Sequence, residues 1–229
     1  MKKINVMIVG VGGQGSITMG EIFKQAVLDN PNIIVTGTET RGAAQREGTV
    51  NSTIRYAIKE PGEQFNERKS VHSVLIPAGE ADLYLALEPV ESLRSLTVVS
   101  EKTSIIINSY IIKPISCIVD GSPYPELQSI ISMLKECSED VVVMNANELA
   151  REAFGDFQKI NIIVTGAAIA TGKLPFSLED MENTIKNTIK YDIEENLKAL
   201  KMGYDAYKKA KSSSFSYIYF FLFKLMKYC

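Results

Sequence analysis

Residues 10–15 read Gly-Val-Gly-Gly-Gln-Gly, a G-x-G-x-x-G spacing that follows the β-branched run Lys3 to Val9. Beyond it Ile17, Ile22, Phe23, Ala26 and Val27 fall at helical spacing, so the pattern predicts strand, glycine turn and helix. In that setting the backbone N–H groups of Gly12, Gly13, Gln14 and Gly15, with the helix N-terminus, form a cradle suited to phosphate. Three uses stay open: a phosphate or nucleotide contact, a nicotinamide or flavin site, or a tight turn that only glycine permits. A dinucleotide site also asks for an acid ending the second strand, and Glu39 is the candidate for a ribose hydroxyl. Against it, Glu39 leads into a polar loop and an alternating strand, where the dinucleotide fold places a crossover helix.

The second feature is local arginine enrichment. The chain has six arginines, and Arg41, Arg46 and Arg55 fall within one short stretch while lysine is spread throughout. A guanidinium presents a planar fork of donors that fits phosphate or carboxylate. Arg41, Gly42, Gln45, Arg46 and Gly48 therefore join the glycine turn as candidate cofactor-binding residues, the ligand being an anionic group or an acidic partner surface. The competing reading is a solvated loop whose arginines pair with Glu39 and Glu47.

Other chemistry is thin. The single histidine, His72, excludes a two-histidine metal site and leaves any Ser-His-Asp arrangement dependent on one residue. Cys117, Cys137 and Cys229 form no ligand-spaced cluster, so the chain has no four-thiolate iron–sulfur set of its own. No catalytic and no metal-binding residue is assigned.

The elements that must position these residues alternate. Asn32–Thr38 reads as a second strand and Thr49–Ile58 as a third with one wet face. His72–Ile76, Ala81–Leu87, Thr103–Asn108, Ile115–Val119 and Val141–Met144 read as further strands, and Pro125–Lys135 as a helix. Beyond 145 only helices are expected, over 146–153, 160–171, 178–190 and 192–210, the last two opening on the capping-box spacings Ser177/Asp180 and Asp192/Glu195. This predicts an α/β class: a layered α/β/α domain with a mixed, Rossmann-like sheet and a helical C-terminal third. One domain is expected over residues 1–210. Residues 211–229 form an apolar tail in which 12 of the last 15 residues are apolar or aromatic, too short to span a bilayer.

A chain of 229 residues buries roughly 70% of its unfolded surface, enough to fold without a metal or disulfide staple. With 45% hydrophobic residues and a formal net charge of -2, neither nucleic acid nor an anionic membrane is implied by global charge. Met1-Lys2-Lys3 and the short run to Gly10 give no secretory h-region, and cysteine usage fits a reducing cytoplasm.

Three ordered motifs resemble the gamma-type subunits or domains of 2-oxoacid:ferredoxin oxidoreductases, and among them the small (beta) subunits of indolepyruvate:ferredoxin oxidoreductases. They are the turn at 10–15, the segment TETRGAAQREGTV at 38–50 and ADLYLALEPVESL at 81–93, supported by NIIVTGAAIATG at 161–172 and NLKALKMGY at 196–204. Family members commonly carry Arg-Gly-Gly where this chain has Arg46-Glu47-Gly48, which adds a carboxylate beside two arginines. The resemblance implies an accessory subunit of an enzyme that oxidatively decarboxylates an arylpyruvate to an acyl-CoA and passes electrons to ferredoxin. It implies a complex using thiamine diphosphate, Mg2+, [4Fe-4S] clusters and coenzyme A. No G-D-G motif precedes a metal-diphosphate segment, since Asp120-Gly121-Ser122 lacks the first glycine. The chain alone is therefore expected to bind no cofactor, thiamine and clusters residing on a large partner subunit and ferredoxin docking through the complex. The glycine and arginine loops are the expected coenzyme A contact, and Glu88 is a lesser candidate for a partner-facing carboxylate. A free-standing NAD(P)- or flavin-binding Rossmann-type oxidoreductase is the alternative.

Overall fold

The computed structural model describes all residues except 43–47, 64, 66–70, 72, 120 and 227–229, and gives the backbone alone for 115–116 and 213–226. The predicted site residues Gln45 and Arg46, with Glu47, His72 and Asp120, lie outside the described residues.

Strand β1 (Lys2–Val11) lies inside a six-stranded sheet that also contains β2 (Ile33–Arg41), β3 (Thr49–Ile58), β4 (Leu83–Ala86), β5 (Ser104–Asn108) and β6 (Asp140–Met144), in the order β2-β3-β1-β4-β5-β6. Strand β3 is antiparallel to both neighbours, with Lys2 opposite Ile58 and Ile33 opposite the same residue, whereas β4, β5 and β6 follow β1 in parallel. The β1 side chains alternate between two apolar layers. Ile4, Val6 and Ile8 enter one core with α1 (Ser16–Gln25), and Met7 and Val9 enter the other with Ile130 and Leu134 of α4 (Leu127–Cys137). Both faces are covered, which is why the central strands read as continuous apolar runs.

The first layer is completed by α6 (Ile160–Ala170), buried along its entire length, and by the long α8 (Ile193–Met226). These two helices meet at glycines. A Cβ on Gly203 would stand 1.7 Å from the Ile163 carbonyl oxygen, and one on Gly166 would stand 1.9 Å from that of Leu200. Two further helices, α5 (Ala146–Phe154) and α7 (Leu178–Thr188), flank this pair. Ser177 and Asp180 close the expected capping box on α7. Asp192 and Glu195 instead turn their carboxylates to Lys159 Nζ, at 3.0 and 3.5 Å.

Two expected strands are absent. Ile115–Val119 is a five-residue helix, α3. Its β-branched composition finds no strand partner there, since β5, the strand just before it, is already paired on both sides by β4 and β6 and the segment does not reach a sheet edge. Ser73–Ile76 joins no strand ladder. Its carbonyls are held by side chains, Ser73 and Leu75 by Arg55 Nη1 at 2.8 and 2.9 Å and Val74 by Thr53 Oγ1 at 2.8 Å. The short helix α2 (Glu91–Arg94) and the 3-10 turn Leu96–Val98 were not legible in the pattern. The C-terminal helix also runs past 210 to Met226 without a break.

Candidate functional site

Insertion of β3 between β1 and β2 has a local consequence. The described ends of the β2–β3 connection, Gly42 and Gly48, lie beside the turn that leaves β1, at the carboxyl edge of the parallel strands. Gly12 N–H donates to Gly48 O at 2.9 Å, fixing that end against the turn, and Gly42 N–H donates to Thr49 O at 2.7 Å, closing the β2–β3 pair. Between them opens a cleft of about 410 Å³ lined by Gly12, Gly13, Gly15, Ser16, Arg41, Gly42 and Gly48 among others. Six of the nine predicted site residues therefore meet at one place.

The turn itself needs its glycines. Gly13 and Gly15 have φ values of 94° and 78°, in the left-handed region where a Cβ is strained. Gly15 is the N-cap of α1 and supplies no side-chain cap, and no acidic residue stands in the first turn. The N-terminal amides of α1, with the positive end of its dipole, are thus left without a protein anion. Ser16, the first residue of α1, is only 2% exposed, and its Oγ has no hydrogen-bond partner. That hydroxyl lies against Gly10, where a Cβ would come within 2.9 Å of it. Arg41 ends β2 exposed at the rim and makes no ion pair among the described residues. An uncapped helix N-terminus, two left-handed glycines and one guanidinium make a donor set whose chemistry fits a phosphate or carboxylate.

Other predicted residues do different work. Gln14 is buried and folds back, its Oε1 accepting from Val11 N–H at 2.9 Å and its Nε2 donating to Leu87 O at 2.8 Å. It braces the turn rather than lining the cleft. Arg55 is likewise buried in β3, and besides the two carbonyls above its Nε donates to Asn5 Oδ1 at 2.9 Å. Of the three clustered arginines, Arg41 is thus a rim residue and Arg55 a structural clamp, Arg46 lying outside the described residues. Glu39 lies on β2, separated from β1 by β3, with Lys24 Nζ 3.8 Å away. Its place corrects the ribose assignment, because the second strand is not the neighbour that a dinucleotide site requires.

Glu88 follows β4 on the same sheet edge and is 1% exposed. Its carboxyl accepts from Tyr124 Oη at 2.6 Å, from Glu91 N–H at 3.0 Å and from Ile112 N–H at 3.4 Å. Burial nevertheless pushes it above the ordinary Glu range, outweighing those donors. It ties Ile112 and Tyr124 to the sheet edge. Asn161, opening α6, packs its amide where a Cβ on Gly15 would sit, a contact that composition alone did not single out. Among the described residues no three His, Cys, Asp or Glu side chains converge on a metal position.

Comparison with known proteins decides the lineage. Residues 5–206 match the family model described as pyruvate ferredoxin/flavodoxin oxidoreductase. The chain belongs to this family. It is 37% identical over 204 residues to the indolepyruvate oxidoreductase subunit IorB of Archaeoglobus fulgidus, covering 89% of this chain and 94% of that one. The gamma subunit of a keto/oxoacid ferredoxin oxidoreductase from Geobacter sulfurreducens shares the fold at a TM-score of 0.62 and 19% identity, covering 92% of this chain and 99% of that chain. A 2-oxoglutarate:ferredoxin oxidoreductase from Magnetococcus marinus, solved with 2-oxoglutarate, coenzyme A and succinyl-CoA bound, matches at a TM-score of 0.62 and 15% identity. That match covers 91% of this chain but 32% of the other. The family member described here is thus a small subunit of a 2-oxoacid:ferredoxin oxidoreductase, and its mixed sheet is the gamma-subunit fold. A free-standing nicotinamide or flavin enzyme has no support in these matches.

Proposed function

We propose that this chain receives the anionic end of coenzyme A for an arylpyruvate oxidoreductase, indolepyruvate being the substrate class. The observation that carries the reading is the cleft in which the uncapped N-terminus of α1, Gly13, Gly15 and Arg41 converge. These groups bind and orient an anion; none of them is a general base or a nucleophile. A larger partner subunit then holds thiamine diphosphate with Mg2+ and the [4Fe-4S] clusters, and ferredoxin takes its electrons there. Thiamine diphosphate supplies carbanion chemistry when bound, while this chain's part is to place the acyl acceptor. Support comes from the name of the A. fulgidus relative and from the coenzyme A bound in the M. marinus enzyme.

The test is Arg41→Ala in the reconstituted complex. Losing one charge-assisted contact costs about 1.5–3 kcal/mol, so the KM for coenzyme A should rise by roughly ten- to a hundredfold. The KM for the 2-oxoacid and the melting temperature should hold. An unchanged coenzyme A KM with weakened subunit affinity would instead assign Arg41 to an acidic surface of the partner.

A further inference from the structure

The sheet ends differently on its two sides. On one side stands β6, five residues long, whose first residue Asp140 pairs with Lys211 Nζ of α8. On the other stands β2, nine residues long, with β3 as its only strand neighbour and no break in their register. From Ile33 to Arg41 it reads Ile-Ile-Val-Thr-Gly-Thr-Glu-Thr-Arg, without proline or lysine and with no charge before Glu39. Shortness, charge, proline and bulges are the devices that keep an edge from accepting another strand, and β2 has none of them ahead of Glu39. The hydrogen bonds show which groups are on offer. Gly42 N–H donates to Thr49 O and Lys59 N–H to Asn32 O. In an antiparallel ladder the bonded pairs recur at every second residue, so the even-numbered residues from 32 to 42 turn their N–H and C=O to β3. The odd-numbered Val35, Gly37, Glu39 and Arg41 turn theirs outward, and among the described residues nothing pairs with them. Ile33 offers its carbonyl, its N–H being held by Asn30 O at 3.1 Å.

We propose that β2 pairs antiparallel with β2 of a second copy of this chain, about a two-fold axis at Gly37, joining two six-stranded sheets into one. The second copy is the chosen occupant because an antiparallel edge is its own complement under a two-fold axis, and this strand meets that condition residue by residue. With Gly37 opposite itself all nine residues overlap. Val35 then faces Glu39 and Ile33 faces Arg41, so the outward odd-numbered residues of one copy meet those of the other. No charged side chain meets its like. Between these pairs Thr36 faces Thr38 in the close, non-bonded positions, a favourable cross-strand match. Arg41 ends β2 at the rim of the cleft, so the pairing also brings Ile33 of the second copy up to that rim.

The full chain is followed by sedimentation equilibrium from about 1 to about 200 μM, and the expected result is a monomer–dimer equilibrium. Val35→Pro removes one outward N–H and no bond to β3, so it should weaken the dimer at least about tenfold while the far-ultraviolet circular dichroism of the dilute chain holds. Thr36→Lys with Thr38→Lys sets lysine against lysine across the axis, and Thr36→Glu with Thr38→Glu sets glutamate against glutamate. Each double variant should dimerise about tenfold more weakly than the wild type, and an equimolar mixture of the two should recover association as a mixed dimer. These charge variants decide the question on their own should Val35→Pro fail to fold. A chain that stays monomeric over the whole range would overturn the pairing. A dimer that survives Val35→Pro and both charge pairs would place association on another surface and overturn it as well. A mixture no more associated than its components would overturn the axis at Gly37. Loss of the large subunit on Val35→Pro, with the lone wild-type chain monomeric, would overturn it in favour of a strand supplied by that subunit.

Discussion

Glu88 is the most tightly held carboxyl on the sheet edge, and its environment sets a sign that can be measured. Burial raises it above its ordinary value of 4.5 although Tyr124, Glu91 and Ile112 all donate to it. The folded state therefore holds this proton more tightly than the unfolded chain does. Its contribution to stability is fully present below the ordinary value and is lost as pH rises through the raised one. Urea melts of the wild type and of Glu88→Gln should show a stability difference, wild type minus variant, that is larger at about pH 4 than at about pH 7. A difference independent of pH would mean that Glu88 titrates as it does in the unfolded chain. Sequence made the position of Glu88 legible but not its role, because what matters is Tyr124, which arrives from a distant excursion. The same holds at the cleft. Gly13, Gly15 and Arg41 announce themselves by type and spacing, whereas Gln14 and Arg55 carry the same donor chemistry and spend it inside the protein. Type gives the available hydrogen bonds; only the fold says which are already taken.

At the scale of elements, the α6–α8 contact is the tightest in the molecule. Two glycines place backbone against backbone, and the Gly203 site leaves no room for a methyl group beside the Ile163 carbonyl. Gly203→Ala should force the helices apart and cost on the order of 3 kcal/mol in a denaturant melt, despite the better helix propensity of alanine. A gain in stability would show that the helices separate freely. Periodicity gave the existence of both helices, and the small residues of 161–172 marked one of them, but not their crossing. The strands fared unevenly for a similar reason. Thr49–Ile58 alternates in sequence and pairs on both sides, while Ile115–Val119 has the composition of a strand but joins no ladder and forms a short helix. Local preference decides only where a partner is waiting.

For the whole molecule, the proposed place in a heteromeric enzyme predicts that the purified chain is colourless, holds neither iron nor thiamine diphosphate, and reduces no viologen dye. Activity should appear on mixing with a large cluster-bearing subunit, and stoichiometric iron and sulfide in the lone chain would count against the division of labour. The order of the core along the chain carries a consequence for synthesis. Translation completes the sheet at Met144, but the apolar face that includes Ile4, Ile8, Ile54 and Leu85 is covered by α1 only in part, its cover is completed by α6 and α8, and α6 is itself wedged against α8. A nascent chain therefore emerges with a finished sheet whose one side is covered only in part, by α1, and remains so until Tyr207 has left the ribosome. Fragments released early would carry that exposed face into the cell as an aggregation hazard, so the last helix to be made is also the one that turns a sticky intermediate into a subunit fit for assembly.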